Sequence, residues 1–357
     1  MIVTYIYSNY LADQIRIQIR CRNMVDAINR TGAHQANLLD MTSFTQNTPH
    51  AQKVCGESDL LVIYRYLHGS ILTAIQYWKA RDKKVIIDFD QAVNYLDKNM
   101  PAYSFWFEGM PLEDLAVSDK NLIDPPPIEQ FKWGLAMVDA ATVPSVRLVD
   151  DWSQFTNVHK VLDYINTHHY PALNHNHGNE IWIGLGNRVG YDSLEKSNLL
   201  TAMENVCRKR PQVKLILHNV EKASGDLNIN SEQLKTYSPR SFEDWVGILL
   251  SLDIGLIPRH GNYDLRLGSY DLLEFMISKI PWIASEEPTF HKLSLYGRWA
   301  QNTSTSWENA ILNMVDTLET HQTKALRDPF LFALRQDLSV NIDEILKVYA
   351  AIVTHEK

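Results

Sequence analysis

The chain has 357 residues, of which 45% are hydrophobic and 21% are charged, and its formal net charge at pH 7 is −8. This length accommodates about two domains, and the acidic balance argues against a general nucleic-acid-binding protein. The three cysteines show no paired spacing and are too few for a disulfide framework or a zinc site.

The N-terminal segment, residues 1–7, is a strand-length apolar run without the basic region and cleavage site of a signal peptide. No run in the sequence reaches the roughly 18 apolar residues of a membrane-spanning helix. We therefore expect a cytoplasmic protein, and the sequence leaves peripheral membrane contact open.

The first half alternates short apolar runs with amphipathic stretches, which predicts the strands and helices of a parallel sheet. The expected strands cover residues 2–7, 35–39, 60–64, 85–88 and 141–145, and the expected helices cover residues 13–29, 70–81, 127–139 and 146–152. No Gly-x-Gly-x-x-Gly follows the first strand, so the fingerprint of a dinucleotide-binding fold is absent.

Polar residues follow three of these strands, at the edge where a parallel sheet places its ligand-facing loops. Asn9 follows the first strand, and Arg65 and His68 follow the third. Asp88 and Asp90 close the fourth. We expect these residues to line a cleft. His68 could make a polar contact to a ligand or act as a general base, and a loop or capping histidine is the favoured interpretation.

Two groups of charged residues have competing interpretations. Carboxylates at the spacing of Asp88 and Asp90 can hold a divalent metal, but so short a motif often occurs by chance and one member can cap a helix. We favour the cleft-lining role and expect no metal. Arg16, Arg20 and Arg22 could face an anionic ligand, and a solvated helix face is the favoured interpretation.

An aromatic cluster, Tyr103-Ser-Phe-Trp-Phe107, lies in a region rich in prolines. Aromatic faces can stack on sugar rings, and loop packing is the favoured interpretation.

Residues 166–180 are polar and aperiodic, which indicates a linker between two domains. Its histidines (His168, His169, His175 and His177) lack a helix or strand that would fix them around a metal.

The second half repeats the alternation of strands and helices. The expected strands cover residues 181–184, 213–217, 254–257 and 282–284, and the expected helices cover residues 193–209, 270–278 and 342–352, with two more opened by a capping box at 241–244 and a cap at 305–308. In the loop after residue 184, Gly186 lets the backbone approach a ligand closely, and Arg188 beside Asn187 could meet a diphosphate.

Residues 251–285 predict a strand, a loop, a helix and a second strand, around which a ligand crevice forms. The helix start near Ser269 offers unpaired N–H groups that suit a phosphate, and Arg259 and Arg266 add positive charge beside it. Glu274 lies one turn further along, on the face opposite the core. Its carboxylate could accept two hydroxyl hydrogen bonds, as a ribose diol presents them.

The runs Asp253-Ile-Gly-Leu-Ile-Pro, Glu274-Phe-Met and Ile280-Pro-Trp-Ile-Ala-Ser285 resemble the donor-binding segment of GT-B glycosyltransferases, in particular the large retaining family that uses nucleotide sugars. The resemblance implies an α/β protein with two Rossmann-like, doubly wound domains facing a cleft. Residues 1–170 would form the acceptor-side domain and residues 171–335 the nucleotide-sugar-binding domain. Residues 336–357 would form a helix that packs back on the first domain.

The resemblance further implies a metal-independent glycosyltransferase that moves a sugar from a UDP- or GDP-sugar to an acceptor hydroxyl, with retention favoured. The donor-binding residues would be Gly186, Asn187, Arg188, Arg259, Ser269 and Glu274, and the acceptor side would hold Asn9, Arg65, Asp88 and Asp90. Glu274 would hold the ribose. The catalytic candidates are His68 and Arg266, since Arg266 would stabilise the leaving diphosphate together with the helix start.

Two positions depart from the family pattern. Arg266 stands where relatives often carry a second glutamate, and Asp271 stands where many carry a lysine. These departures keep two alternatives open. One is a non-catalytic GT-B-like protein that binds a sugar nucleotide or a partner, and the other is a sugar-nucleotide epimerase.

Overall fold

A computed structural model describes residues 1–112, 122–171, 177–286 and 293–354. The chain forms two compact units, and neither is a single continuous segment. The first comprises Met1–Tyr164, Arg266–Gly268 and Leu338–Lys357, and the second comprises Ile165–Leu265 and Ser269–Asp337. Of the linker histidines, His175 lies outside the described residues.

The first unit contains a six-stranded parallel sheet with the strand order β2-β1-β3-β4-β5-β6. Its strands are β1 (Ile2–Tyr7), β2 (Gln35–Asp40), β3 (Leu60–Tyr64), β4 (Lys84–Asp88), β5 (Ala140–Val143) and β6 (Val158–Lys160). The order reverses between β1 and β3, so the switch point of this sheet lies between the loops that follow these two strands.

Helices cover the first sheet, and their bounds agree with most of the expected ones. They are α1 (Gln14–Ile17), α2 (Asn23–Arg30), α3 (Met41–Thr45), α4 (Pro49–Glu57), α5 (Ser70–Lys79), α6 (Ala102–Glu108), α7 (Pro127–Met137) and α8 (Val146–Trp152). The helix expected over 13–29 is interrupted, because a π-helical turn at Gln18–Arg22 separates α1 from α2. The aromatic run at 103–107 lies in α6 and not in a loop.

The second unit contains another six-stranded parallel sheet, with the order β12-β11-β10-β7-β8-β9. Its strands are β7 (Ile181–Leu185), β8 (Val213–His218), β9 (Leu234–Tyr237), β10 (Ile254–Ile257), β11 (Trp282–Ser285) and β12 (Arg298–Ala300). Here the order reverses between β7 and β10. The ligand crevice of this sheet is therefore expected beside the loops after β7 and β10.

The helices of the second unit are α9 (Tyr191–Lys196), α10 (Leu199–Lys209), α11 (Glu221–Asp226), α12 (Phe242–Leu249), α13 (Gly261–Asp264), α14 (Tyr270–Ile277), α15 (Ser304–Asp316), α16 (Leu318–Ala325) and α17 (Asp328–Arg335). The capping box of α12 is confirmed, because Ser241 and Asp244 exchange hydrogen bonds. The cap expected at 305–308 is wrong by two residues, since the side chain of Thr303 caps α15.

Helix α14 is buried along its whole length. The sequence predicts a polar outer face carrying Glu274, and this prediction is wrong because α17 packs against α14, and Tyr170 and Trp245 bind the buried Glu274. The carboxylates of Asp271 and Glu274 are therefore buried polar groups that need partners inside the protein.

The last helix, α18 (Leu338–Thr354), belongs to the core of the first unit. Ile342 and Leu346 pack in the same cluster as Val3 of β1. The hydroxyls of Tyr5 and Tyr349 lie 2.8 Å apart inside it. Across the described ranges, we find no helix with the length and apolar composition needed to cross a membrane.

Candidate functional sites at the two switch points

The switch point of the second sheet brings the loop after β7 against the start of α14. The backbone N–H of Gly186 donates to the carbonyl of Leu256, at the end of β10. A Cβ atom at position 186 would lie 3.1 Å from the Cβ of Asp271. Glycine therefore permits the close approach at this position, which the sequence identified as a ligand-facing glycine.

Two arginines converge on one carboxylate at this switch point. The Nε of Arg188 lies 3.5 Å from Oδ1 of Asp271, and Nη2 of Arg259 lies 3.7 Å from Oδ2. The three side chains are only 10%, 3% and 2% exposed, in the order Arg188, Arg259 and Asp271. The group carries one net positive charge at the edge of the sheet where such folds bind ligands.

The loop that carries Arg259 is fixed by polar contacts that sequence reasoning missed. The N–H of Arg259 donates to Ser285 Oγ at 2.8 Å, and Ser285 Oγ donates to Asn302 at 2.7 Å. Asp264 accepts hydrogen bonds from Ser193 Oγ and from the N–H of His260. Except for His260 and Asp264, which are four residues apart, these partners lie 17 to 71 residues apart in the chain, too far for a local pattern to reveal them.

Glu274 lies in an aromatic shell and is fully buried. Its Oε1 accepts hydrogen bonds from the hydroxyl of Tyr170 at 2.9 Å and from Trp245 Nε1 at 2.8 Å. His218 packs edge-on against Trp245, and burial lowers the pKa of His218. A ribose diol would have to take the place of Tyr170 or Trp245 at this oxygen.

Arg266 belongs to the first unit, although the chain on both sides of 266–268 belongs to the second. Its guanidinium binds Asp151 through Nε and Nη2 and lies 3.6 Å from the ring centroid of Tyr95. Its carbonyl accepts from Ser145 Oγ at 2.7 Å. Arg266 is thus held by Asp151, whereas Arg188 and Arg259 share Asp271. Ser269, at the start of α14, makes no capping bond with its side chain.

A buried ion-pair network lies beneath the carboxyl edge of the first sheet. Its members are Asp13, Asp88, Asp90 and Asp163 with Arg16, Arg20 and Arg65, and all are buried. Arg65 and both aspartates of the Asp88-x-Asp90 motif were expected to line a cleft, and instead they pair with one another or with Arg16 and Arg20. The solvated face expected for Arg16 and Arg20 is also wrong.

The arginines hold the motif carboxylates in specific geometry. Arg20 Nε donates to Asp88 at 2.9 Å, and Arg65 Nη2 lies 3.0 Å from Asp90. Within the described part of the chain, no group of three or more His, Cys, Asp or Glu side chains is arranged to hold a metal ion.

The switch point of the first sheet contains a cavity of about 550 Å³, which Asn9 and His68 help to line. The ring of His68 packs edge-on against Tyr66 and Phe105, with centroids 6.0 and 5.3 Å away. Burial lowers the pKa of His68 to about 4. The imidazole is therefore neutral at pH 7, and it suits hydrogen bonding to a ligand better than proton abstraction.

Comparisons with known proteins bear on the fold. No family model and no curated protein matches the sequence. Three similar solved structures are sucrose-phosphate synthase from Thermosynechococcus elongatus, HepE from Anabaena with UDP and glucose, and UDP-GlcNAc 2-epimerase from Neisseria meningitidis bound to UDP-GlcNAc. Their TM-scores are 0.62, 0.60 and 0.54, at 11%, 12% and 9% identity. Each match covers 98% of this chain and 100% of the other.

The chain has the GT-B fold. The resemblance noted in the sequence and the expected pair of Rossmann-like sheets are thereby confirmed. In this GT-B chain the two departures from the family pattern have structural partners. Asp271 joins Arg188 to Arg259, and Arg266 binds Asp151.

Proposed function

We propose that this GT-B chain is a glycosyltransferase that takes its sugar from a nucleotide sugar. The observation that carries the proposal is the convergence of Arg188 and Arg259 at the switch point of the second sheet. Guanidinium groups and the N–H groups at the start of α14 suit a diphosphate. The similar HepE structure contains UDP and glucose, which supports UDP as the nucleotide.

In the proposed reaction the leaving diphosphate gains negative charge as the bond to the sugar breaks. Guanidiniums that are already fixed in place stabilise this charge without reorganisation. Asp271 contacts the same two arginines, so a diphosphate competes with its carboxylate for them. Asp271 thus weakens donor binding and favours release of the nucleotide.

The ribose contact proposed for Glu274 follows from the family resemblance. Its Oε1 accepts from Tyr170 and Trp245 and the whole side chain is buried, so the ribose reaches the carboxylate only if one of these donors gives way. Tyr170 directly follows a short 3-10 turn, Thr167–His169, whereas Trp245 lies within α12. We therefore propose that Tyr170 is the group that yields. Retention at the anomeric carbon likewise follows from the resemblance, and NMR of the first-formed product would determine it.

A second candidate function has specific support. Asp271 and Arg266 replace residues that relatives use, and both are engaged by partners inside the protein. A protein that binds a sugar nucleotide without turnover would have this pattern. The epimerase alternative is supported by the structural match to UDP-GlcNAc 2-epimerase.

A ligand panel separates these functions. UDP, GDP, ADP and their common sugars would be tested for their effect on the melting temperature, and every stabilising donor would then be incubated without acceptor. Release of the donor's unaltered sugar indicates a glycosyltransferase, and conversion to a different sugar indicates an epimerase. A donor that stays unchanged both alone and after addition of hydroxyl acceptors indicates a binding protein. If no nucleotide shifts the melting temperature, the nucleotide-sugar proposal fails.

We also propose that the protein functions in the cytoplasm. Cys21, Cys55 and Cys207 are all buried free thiols, as is usual in a reducing compartment.

A further inference from the structure

We propose that the cavity at the switch point of the first sheet binds an uncharged, partly apolar compound that carries hydroxyl groups. This inference rests on the proposed function for its meaning, since the compound would be the acceptor of the transferred sugar. The cavity measures about 550 Å³, within the range of roughly 300–1,000 Å³ that small-molecule sites occupy.

None of the described residues that line this cavity has a charged side chain at pH 7. The side chains that line it are those of Ser8, Asn9, Tyr10, Met41, Thr42, Thr45, Gln46, Tyr66, His68, Ser70, Ile71, Pro111, Leu122 and Ile123. His68 is neutral at pH 7 because burial lowers its pKa to about 4. Burial also raises the pKa of Tyr10, so its phenol remains neutral.

Among the described residues, the carboxylate that binds two side chains of this lining is also paired inside the protein. Asp13 accepts hydrogen bonds from Ser8 and from the hydroxyl of Tyr66, both of which line the cavity. It also pairs with Arg65, which is bound to Asp90 as well. An anionic ligand would therefore lose hydration without gaining a counter-ion, which makes its burial costly.

Aromatic rings form one wall. Tyr66 stacks on Trp106 with centroids 5.9 Å apart, and its edge contacts Tyr10 and Phe105. Tyr66 and Tyr10 line the cavity itself, whereas Phe105 and Trp106 support them. Rings held in this way offer apolar area to a sugar face or an aromatic group.

Polar groups on the wall remain available for hydroxyls. The side chains of Asn9, Gln46, His68 and Ser70 make no hydrogen bond to any residue that the structure describes. Together they offer amide, imidazole and hydroxyl groups, which both donate and accept. Neutral donors and acceptors of this kind select hydroxyl groups over phosphate or carboxylate.

The test uses phenyl β-D-glucoside and phenyl phosphate as matched neutral and anionic probes on the full chain. Binding would be measured by ligand-observed NMR and titration calorimetry, without nucleotide. We expect the glucoside to bind and the phosphate to bind at least about tenfold more weakly. Equal or tighter binding of the phosphate, or no binding of the glucoside, would overturn the proposal.

Variants locate the binding. Thr45→Trp fills the cavity from α3 and should weaken glucoside binding by about tenfold or more, whereas the exposed Thr73→Trp on α5 should leave it unchanged. Gln46→Arg adds a cation to the wall and should strengthen binding of phenyl phosphate. If Thr45→Trp and Thr73→Trp weaken glucoside binding equally, the glucoside binds outside this cavity and the proposed site is wrong. If Thr45→Trp does not fold, Gln46→Arg still tests the site. Binding of phenyl phosphate that is the same in Gln46→Arg as in the parent chain would contradict the proposed position of the site.

The two proposals can fail separately. If the glucoside binds as expected but no nucleotide binds, the cavity stands and the glycosyltransferase is excluded. If a nucleotide sugar is turned over while the glucoside does not bind, the glycosyltransferase stands and the neutral site is excluded.

Discussion

Asp271 is the residue that most directly distinguishes this chain from the family it resembles. Its carboxylate lies between two buried guanidiniums, at the point where the proposed diphosphate binds. A carboxylate in this position opposes an anionic ligand and also holds the arginines in place. The balance between these two effects can be measured.

Asp271→Asn should strengthen UDP binding by about threefold to tenfold, because the amide no longer competes with the diphosphate for Arg188 and Arg259. The ligand-free variant should melt at a lower temperature, since two buried arginines lose their anionic partner. Calorimetric titration with UDP checks the first effect. Asp316→Asn, which removes the carboxylate beside Arg210 at an exposed pair, is the control. Weaker UDP binding by Asp271→Asn would show that Asp271 only supports the site.

Glu274 combines a proposed ribose contact with an observed structural role. Glu274→Ala should lower the free energy of unfolding by about 1–3 kcal/mol, because Trp245 and Tyr170 lose a buried acceptor. Glu274→Gln retains an oxygen acceptor and should lower the free energy of unfolding by less. Urea unfolding measures both. If the folded Ala variant binds UDP as tightly as the parent chain, Glu274 does not hold the ribose.

His68 gives the fold a pH dependence of definite sign. Its folded pKa of about 4 lies below the ordinary value of 6.5, so between these values the unfolded chain binds the proton that the folded chain excludes. Stability is therefore lost as the pH falls through this window. His68→Gln should lose less stability than the parent between about pH 7 and pH 5. His50→Gln, at an exposed position, is the control, and an equal slope in all three proteins contradicts the prediction.

At the level of elements, the π-helical turn between α1 and α2 is where sequence periodicity failed. Arg16 at the end of α1 and Arg20 in the turn are buried against carboxylates 68 to 143 residues away. Hydrophobic periodicity treats arginine as a surface residue, so it assigns both side chains to solvent. Their burial depends on partners that no local pattern specifies.

Asp88→Asn should lower the free energy of unfolding by about 1.5–3 kcal/mol, because the buried guanidinium of Arg20 loses one of its two carboxylate partners and keeps Asp163. The hydroxyl of Thr142 also loses a charged acceptor. Asp316→Asn at the exposed Arg210 pair should cost only about 0–1 kcal/mol. Chemical denaturation would measure the free energy of unfolding of both variants. Equal losses would mean that the buried network contributes no more to stability than an exposed ion pair.

The same elements show which parts of the fold the sequence could predict. Central strands such as β3 and β10 are apolar throughout, and their predicted bounds are confirmed. The strands β6, β9 and β12 lie at or near sheet edges, are three or four residues long and mix polar with apolar residues, so no pattern indicated them. The candidate sites divide in the same way. The positions of the ligand-facing loops could be predicted from the ends of the strands. The partners of the site residues could not, as Tyr170 shows, because it binds Glu274 from 104 residues away.

At the scale of the whole molecule, the two units have separate hydrophobic cores. The core of the first unit includes residues from both ends of the chain, since Leu346 of α18 packs in the same cluster as Val3 and Val62. The core of the second is built around α10 and α15, where Met314 packs with Met203. Loss of packing in one core should therefore lower the stability mainly of the unit that contains it.

Hydrogen exchange can test this separation with a matched pair of core variants. Leu346→Ala and Met314→Ala should each cost about 2–5 kcal/mol through lost burial and the cavity left behind. Because local opening follows the stability of the unit that contains it, Leu346→Ala should speed amide exchange in β1 and β3 and leave β7 and β8 at the parent rate. Met314→Ala should do the reverse. If either variant speeds exchange equally in both sheets, the two units unfold as one cooperative body despite their separate cores.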